Sequence, residues 1–225
     1  MAIQIQGNEG NIAQVRGTNY RGIAVERVPI DHGSLGQYRL AMATGIIGAA
    51  LAANGELFQF RWTDATRLAA VYKVSVSGGA NVAATAAGLV TLDLTIARSF
   101  TGVGSGGATA TLTGNNQKVR TSHGTTLLGE ARIATTAALG AGTKTLDSHA
   151  IGNYSIGIGT GAITTANRLT LFDRVGLLDA DGEGQHPIIL AQNEGLVVKN
   201  GATAWPATMT WNLGITVIWA ELTAY

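Results

Sequence analysis

No cysteine occurs anywhere in the chain, which excludes disulfide scaffolds and thiolate metal sites and leaves the protein indifferent to the redox state of its compartment. Charge is also scarce. Asp, Glu, Lys and Arg make up 13% of the 225 residues, about half the fraction typical of soluble domains. The formal net charge is +1, and the eleven arginines are spread along the sequence with only four lysines, so nothing supplies the basic face that nucleic acid requires as a main ligand. The most apolar stretch, 40–53, is 14 residues long and contains Thr44, Gly45 and Gly48, short of the ~20 residues that span a bilayer. It reads as buried β or a packed connection, with a short helix over 46–53 as the alternative. The first residues, Met1-Ala2-Ile3-Gln4-Ile5-Gln6, have neither the charged region nor the long apolar core of a signal peptide.

What fills the deficit is Gly (31 residues), Ala, Thr and Asn, beside an ordinary hydrophobic fraction of 46%. That composition belongs to an ordered chain, long enough to bury a core without disulfides or metals. A surface short of charge is poorly protected against association and suits a protein committed to partners.

The clearest pattern lies near the C-terminus. Met209, Trp211, Leu213, Ile215, Val217 and Trp219 occupy every odd position, against Thr210, Asn212, Gly214, Thr216, Ile218 and Ala220. A period of two places these sets on opposite faces of a pleated strand. The spacing predicts a long strand whose odd face is complete at Trp219, so that the residues from Glu221 onward matter less to the fold than either tryptophan.

The rest of the chain follows the same rule. Leu57-Phe58-Gln59-Phe60-Arg61-Trp62 places three aromatics on one face. Leu68, Ala70, Tyr72, Val74 and Val76 alternate with Ala69, Val71, Lys73 and Ser75 before Gly78-Gly79, which reads as the strand's end. Val90, Leu92, Leu94 and Ile96 oppose Thr91, Asp93 and Thr95. Further strands are expected at Ile12–Val15, Ile23–Val28, Ala131–Thr135, Leu169–Arg174, Ile188–Gln192 and Leu196–Lys199, with Gln192-Asn193-Glu194-Gly195 as a tight hairpin connection. Ser99–Gly124 reads as a long exposed glycine-rich loop, and Gly152–Gly161 as a close-packed strand or glycine-lined contact. The fold class is all-β, a β-sandwich or jelly-roll-like domain over 1–225, with a loop or extension insertion around 99–161.

Motifs with chemical meaning dissolve in context. Gly102-Val103-Gly104-Ser105-Gly106-Gly107 satisfies G-x-G-x-x-G, but a strand-like Ala108–Thr113 follows where a dinucleotide site needs a helix. Gly157–Ala162 meets the relaxed form equally well. Asp179-Ala180-Asp181-Gly182-Glu183 starts like a calcium loop, yet its third ligand and terminal glutamate are missing. His32, His123, His149 and His186 share no metal-ligand spacing, no serine sits in a G-x-S-x-G elbow, and the seven Asp and seven Glu nominate no catalytic pair. No catalytic, cofactor-binding or metal-binding residue is therefore named. Phe58, Phe60, Trp62, Trp211 and Trp219 read as core. Trp205, beside Pro206 and outside the alternation, reads as the aromatic most suited to an exposed or interfacial place.

Three segments together carry a resemblance. They are Arg27–Ala41 followed by Leu57–Trp62, then Asn193–Val198, then Pro206–Thr208 with Trp211–Glu221. The arrangement resembles virion structural proteins of tailed bacteriophages, of the type that decorates or cements the capsid. The resemblance covers both ends of the chain but not 99–161, and it transfers no functional residue. It implies a β-sandwich or jelly roll, homotrimeric, that clamps neighbouring major capsid protein subunits from the capsid exterior after synthesis in the host bacterial cytoplasm, with no cofactor, membrane or nucleic acid involved. A receptor- or glycan-binding head of a tail or surface fibre is the alternative, and a glycan-degrading enzyme on a β scaffold is a third reading.

Overall fold

The computed structural model describes residues 4–6, 12–14, 36–48, 51–112, 117–160, 170–180 and 186–223. The chain divides into two compact units, Met1–His32 and Gly33–Tyr225. In the first, β1 (Gln4–Gln6) pairs antiparallel with β2 (Ile12–Gln14). The strand expected at Ile23–Val28 lies outside the described residues.

The second unit is built from β3 (Gln37–Ala43), β4 (Glu56–Trp62), β5 (Leu68–Val82), β6 (Gly88–Gly102), β7 (Ala108–Thr109), β8 (Leu128–Ile133), β9 (Thr143–Leu146), β10 (Gly152–Ile158), β11 (Thr170–Asp179), β12 (Ile188–Leu190), β13 (Glu194–Asn200) and β14 (Thr210–Leu222). No described residue is helical. One antiparallel sheet runs β11-β5-β14-β3, with β12 continuing the β11 edge along β5; the other runs β10-β6-β13-β4-β8-β7, with β9 continuing the β10 edge along β6. The two sheets pack face to face. Taking β3, β4, β5, β6, β10, β11 with β12, β13 and β14 as first to eighth, one sheet reads first, eighth, third, sixth and the other second, seventh, fourth, fifth. That order is the jelly roll, two interlocked Greek keys closed into a sandwich. The segment between β6 and β9 inserts β7 and β8, which widen the second sheet beyond β4.

β14 lies between β3 and β5, and all six odd positions from Met209 to Trp219 are buried. Trp219 stacks on Tyr38 at 5.5 Å between ring centroids and meets the edge of Phe60 at 5.2 Å. Phe60, Phe58 and Trp62 come from the opposite sheet, so aromatic rings supply much of the contact between layers.

Several expectations need correction. The alternation of β5 does not run unbroken through 68–76. Tyr72 is skipped where Ile218 pairs with Lys73 and Trp219 with Val71, a bulge that exchanges the two faces. Val74 and Val76 therefore share the main core with Ala69 and Val71, while Ala70 and Tyr72 join a separate cluster with Ala220. Gly78-Gly79 does not end the strand, which continues to Val82. A Cβ on Gly78 would stand 2.2 Å from the Asn212 carbonyl oxygen, so glycine admits the neighbouring strand. The 192–195 link turns tightly, with Glu194 N–H donating to Ala191 O at 3.0 Å and Asn193 at φ 59. It is no hairpin, however: β12 pairs with β5 and β13 with β4 and β6, so the turn steps between sheets. Strand also persists past Ser99 to Gly102. The 40–53 stretch is strand to Ala43 and then an irregular packed connection, its described residues 44–48 and 51–53 non-helical.

The chain past Ala220 still takes part in the fold through Glu221. It is fully buried, and its Oε1 accepts from Thr126 Oγ1 at 2.6 Å and Leu127 N at 2.8 Å. This holds the end of the insertion against the last strand. Burial pushes its carboxyl above the usual glutamate range, with the Thr126 and Leu127 hydrogen bonds opposing the rise.

Trp219→Ala should cost about 3–5 kcal/mol, the usual penalty for emptying a large aromatic site, whereas Thr210→Ala should stay within about 1 kcal/mol. Chemical denaturation monitored by fluorescence decides both.

Glu221→Ala should cost about 1–3 kcal/mol, because it strands the Thr126 and Leu127 donors. A carboxyl whose folded pKa is raised favours the fold when protonated, and that contribution is lost as pH climbs through the carboxylate range. The gap between wild type and Glu221→Ala should thus be wider at pH 4 than at pH 8 in urea titrations, and a gap that widens with pH would be contrary.

Candidate interaction surface

At one end of the sandwich β3 hands over to β4, β5 to β6, and β13 to β14, and β8 ends there. Four connections are knitted together at this end. Gly48 N–H donates to Thr136 O at 3.2 Å, Asn54 N–H to Gly201 O at 2.9 Å, Trp205 N–H to Leu51 O at 3.0 Å, and Thr85 N–H to Thr208 Oγ1 at 3.1 Å. Across 43–55, 77–92, 133–143 and 200–220 there is no Asp, Glu, Lys, Arg or His. Three of the five large apolar side chains exposed among the described residues stand here, Ile46 at 60%, Val82 at 51% and Leu89 at 43%. They are surrounded by exposed Ala52, Ala53, Ala86, Ala87, Ala202, Ala204 and Ala207.

The opposite end is charged. Asp64 Oδ1 caps the β4–β5 turn by accepting from Thr66 N, Thr66 Oγ1 and Arg67 N, each at 2.8 Å. Those hydrogen bonds hold its carboxyl below the usual range. Arg98 there bridges Asp147 at 2.9 Å and Glu194 at 2.6 Å. The asymmetry matters energetically. Removing water from an uncharged apolar surface is favourable at about 25 cal/mol per Å², while an exposed charge must be desolvated at a cost. Charge does reach this end from its margins, since Lys199 Nζ donates to Asn54 Oδ1 at 2.7 Å and the segment joining β10 to β11, which also meet this end, carries Arg168. The four uncharged connections themselves are cheap to dehydrate against another surface.

Trp205 lies beneath this end and not upon it. The ring is buried at 2% exposure, 4.0 Å between centroids from Trp211, and its Nε1 donates to Thr91 O at 3.1 Å. The side chain plugs the 201–208 connection into the core. Phe58, Phe60, Trp62, Trp211 and Trp219 are buried as expected, and with Trp205 all six rings are at no more than 2% exposure. The signal that locates the surface, an absence of ionisable residues in four connections far apart in sequence, is legible only once their convergence is known.

The other motifs take structural places. A Cβ on Gly104 would stand 1.6 Å from Gly140 O, and one on Gly107 (φ +64) would stand 2.1 Å from Ile133 O, so these glycines bring the insertion onto the outer face of the larger sheet. β7 follows them where a nucleotide loop would have a helix. Residues 105–109 are exposed as a loop would be, but Gly104 is buried against Gln59 and Val103 packs in a cluster with Val197 on that outer face. In the 152–161 segment, β10 pairs with β6 without a register break, and Gly152 packs against Leu177 while Gly157 and Gly159 are open. Asp179 pairs with Lys73 at 2.8 Å, and Asp181 and Glu183 lie outside the described residues. His123 Nδ1 accepts from Gln37 N at 3.3 Å and His149 Nδ1 meets Ser148 Oγ at 2.9 Å. His186 leads into β12, and His32 lies outside the described residues. The described residues hold no group of three or more His, Asp or Glu able to bind a metal ion, and no helix long and apolar enough to cross a membrane.

Comparison with protein-family models, with curated proteins and with solved structures found no match.

Trp205→Ala should cost about 3–5 kcal/mol and raise amide exchange through 201–208. Trp205→Phe, which loses only the Thr91 hydrogen bond and some area, should cost about 1 kcal/mol. Equal losses for the two would contradict the plug.

Proposed function

We propose that the chain is a structural protein of a tailed-bacteriophage virion, decorating or cementing the outer capsid by seating its four uncharged connections on neighbouring major capsid subunits. The observation that carries this reading is the convergence of four connections without one ionisable side chain on one end of a rigid jelly roll. A cement protein needs no tuned pKa and no cofactor. It needs a stiff scaffold and a surface that loses little when water leaves it, and an exposed apolar patch on an otherwise polar protein is the usual mark of such a surface. The low overall charge and small side chains also suit self-association, and a homotrimer would multiply each contact threefold by symmetry, so that modest individual contacts give firm attachment. Trp205 is buried, so it offers no exposed ring to the alternative, a receptor- or glycan-binding fibre head.

Purified protein mixed with expanded, undecorated capsids should co-sediment with them, and Ile46→Asp combined with Leu89→Asp should abolish co-sedimentation while leaving the melting temperature nearly unchanged. Free protein should sediment as a trimer at micromolar concentration. Unimpaired capsid binding by the double variant would refute the assigned surface, and failure of the wild type to bind would refute the function.

A further inference from the structure

A second feature lies on the outer face of the larger sheet, under the insertion, and it is chemical. Three polar side chains are buried together there. Lys144 on β9 has a side chain 2% exposed, Glu56 at the start of β4 one 9% exposed, and Gln59 on β4 is wholly buried. One oxygen, Glu56 Oε2, lies 2.8 Å from Lys144 Nζ and 2.6 Å from Gln59 Nε2. On the other side of the carboxamide, Gly104 N–H donates to Gln59 Oε1 at 2.7 Å. Gln59 Nε2 also donates to Gly140 O at 2.9 Å, and Lys144 Nζ donates to Ala141 O. The Phe100 ring stands 5.1 Å from Nζ, with Val197 and Val103 beside it in the same apolar cluster.

A salt bridge this deep is a poor source of stability, because desolvation consumes most of the attraction. The arrangement has the parts of an acyl-transfer site instead. A potential amine nucleophile and a carboxamide share one carboxylate oxygen that can take a proton from the first nitrogen and give it to the second. The carbonyl oxygen meanwhile sits on a fixed backbone N–H where negative charge would develop.

We propose that Lys144 and Gln59 become joined by an isopeptide bond formed within the folded chain, with Glu56 as the proton carrier. Glu56 removes a proton from the Lys144 ammonium. The freed lone pair of Nζ attacks Gln59 Cδ, and the carbonyl electrons move to Oε1, held by Gly104 N–H. Glu56 passes its proton to Nε2 as the Cδ–Nε2 bond breaks, the carbonyl re-forms, and the second Nζ proton leaves with the departing nitrogen as ammonium. One C–N bond forms and one breaks, nothing is oxidised or reduced, and no co-reactant is consumed. The product ties β9 covalently to β4 and pins the insertion over the outer face. In a chain without cysteine, it supplies the kind of loop closure a disulfide would, independent of redox state.

Intact-mass spectrometry of the full-length protein under denaturing conditions tests this directly. The wild type should be lighter than its sequence by one ammonia, and a protease digest should yield a branched peptide linking Gln59 to Lys144. Lys144→Arg and Glu56→Gln should each restore the full sequence mass and remove the branched peptide, with the β-sheet circular dichroism spectrum retained. A wild type at full sequence mass overturns the proposal, whether or not either variant folds. So does an ammonia loss that survives in Lys144→Arg, since its source would lie elsewhere.

Discussion

The burial of β14's odd face is the constraint on which the rest of the molecule depends. Met209, Trp211, Leu213, Ile215, Val217 and Trp219 lie on a strand with a neighbour on each side, so their burial fixes the register of both β3 and β5. A one-residue slip would turn two tryptophans toward solvent and bring threonines and an asparagine into the core, which is why register is strongly specified here. Trp219 then meets Tyr38 and Phe60, while Trp211 meets Trp205, so the two ends of this one strand anchor the opposite sheet and the 201–208 connection. Glu221 extends the same strand's reach to the insertion through Thr126 and Leu127.

With the interior fixed, the two ends of the sandwich are free to differ. One collects its charges into capped turns and ion pairs around Asp64, Arg98 and Asp147, while four connections at the other carry no charge of their own. The uncharged connections are not loose for lack of polar contacts. Backbone hydrogen bonds and the Trp205 plug hold them, so a partner would meet a pre-formed surface and little ordering entropy would oppose binding. The proposed capsid seat rests on that combination of rigidity and cheap dehydration.

Much of the sandwich is legible in the sequence because period-two spacing is a local property. Phe58, Phe60 and Trp62, and likewise Val90, Leu92 and Leu94, point inward as their alternation requires. What escapes local reading depends on distant partners. The bulge at Tyr72 is set by the strand opposite it, near Trp219. Gln59 looks solvent-facing by alternation, yet the insertion returns from far along the chain to cover it. Gly104 and Gly107 suggest flexibility by composition, although their missing side chains are what lets backbone pack on backbone. Trp205 lies outside every alternating run, so only its neighbours Trp211 and Thr91 reveal that it is buried. The charge-free surface is the reverse case, since its composition is plain in the sequence and only the fold brings its pieces together.

The central claim is that the end formed by the four uncharged connections is the face that meets the capsid. Hydrogen–deuterium exchange of the protein, free and bound to undecorated capsids, measures this most directly. New protection should concentrate in 44–55, 83–89 and 201–209, while the turn at 63–67 and the residues around Arg98 and Asp147 exchange as before. Protection confined to that charged end, with the uncharged connections unchanged, would contradict the account.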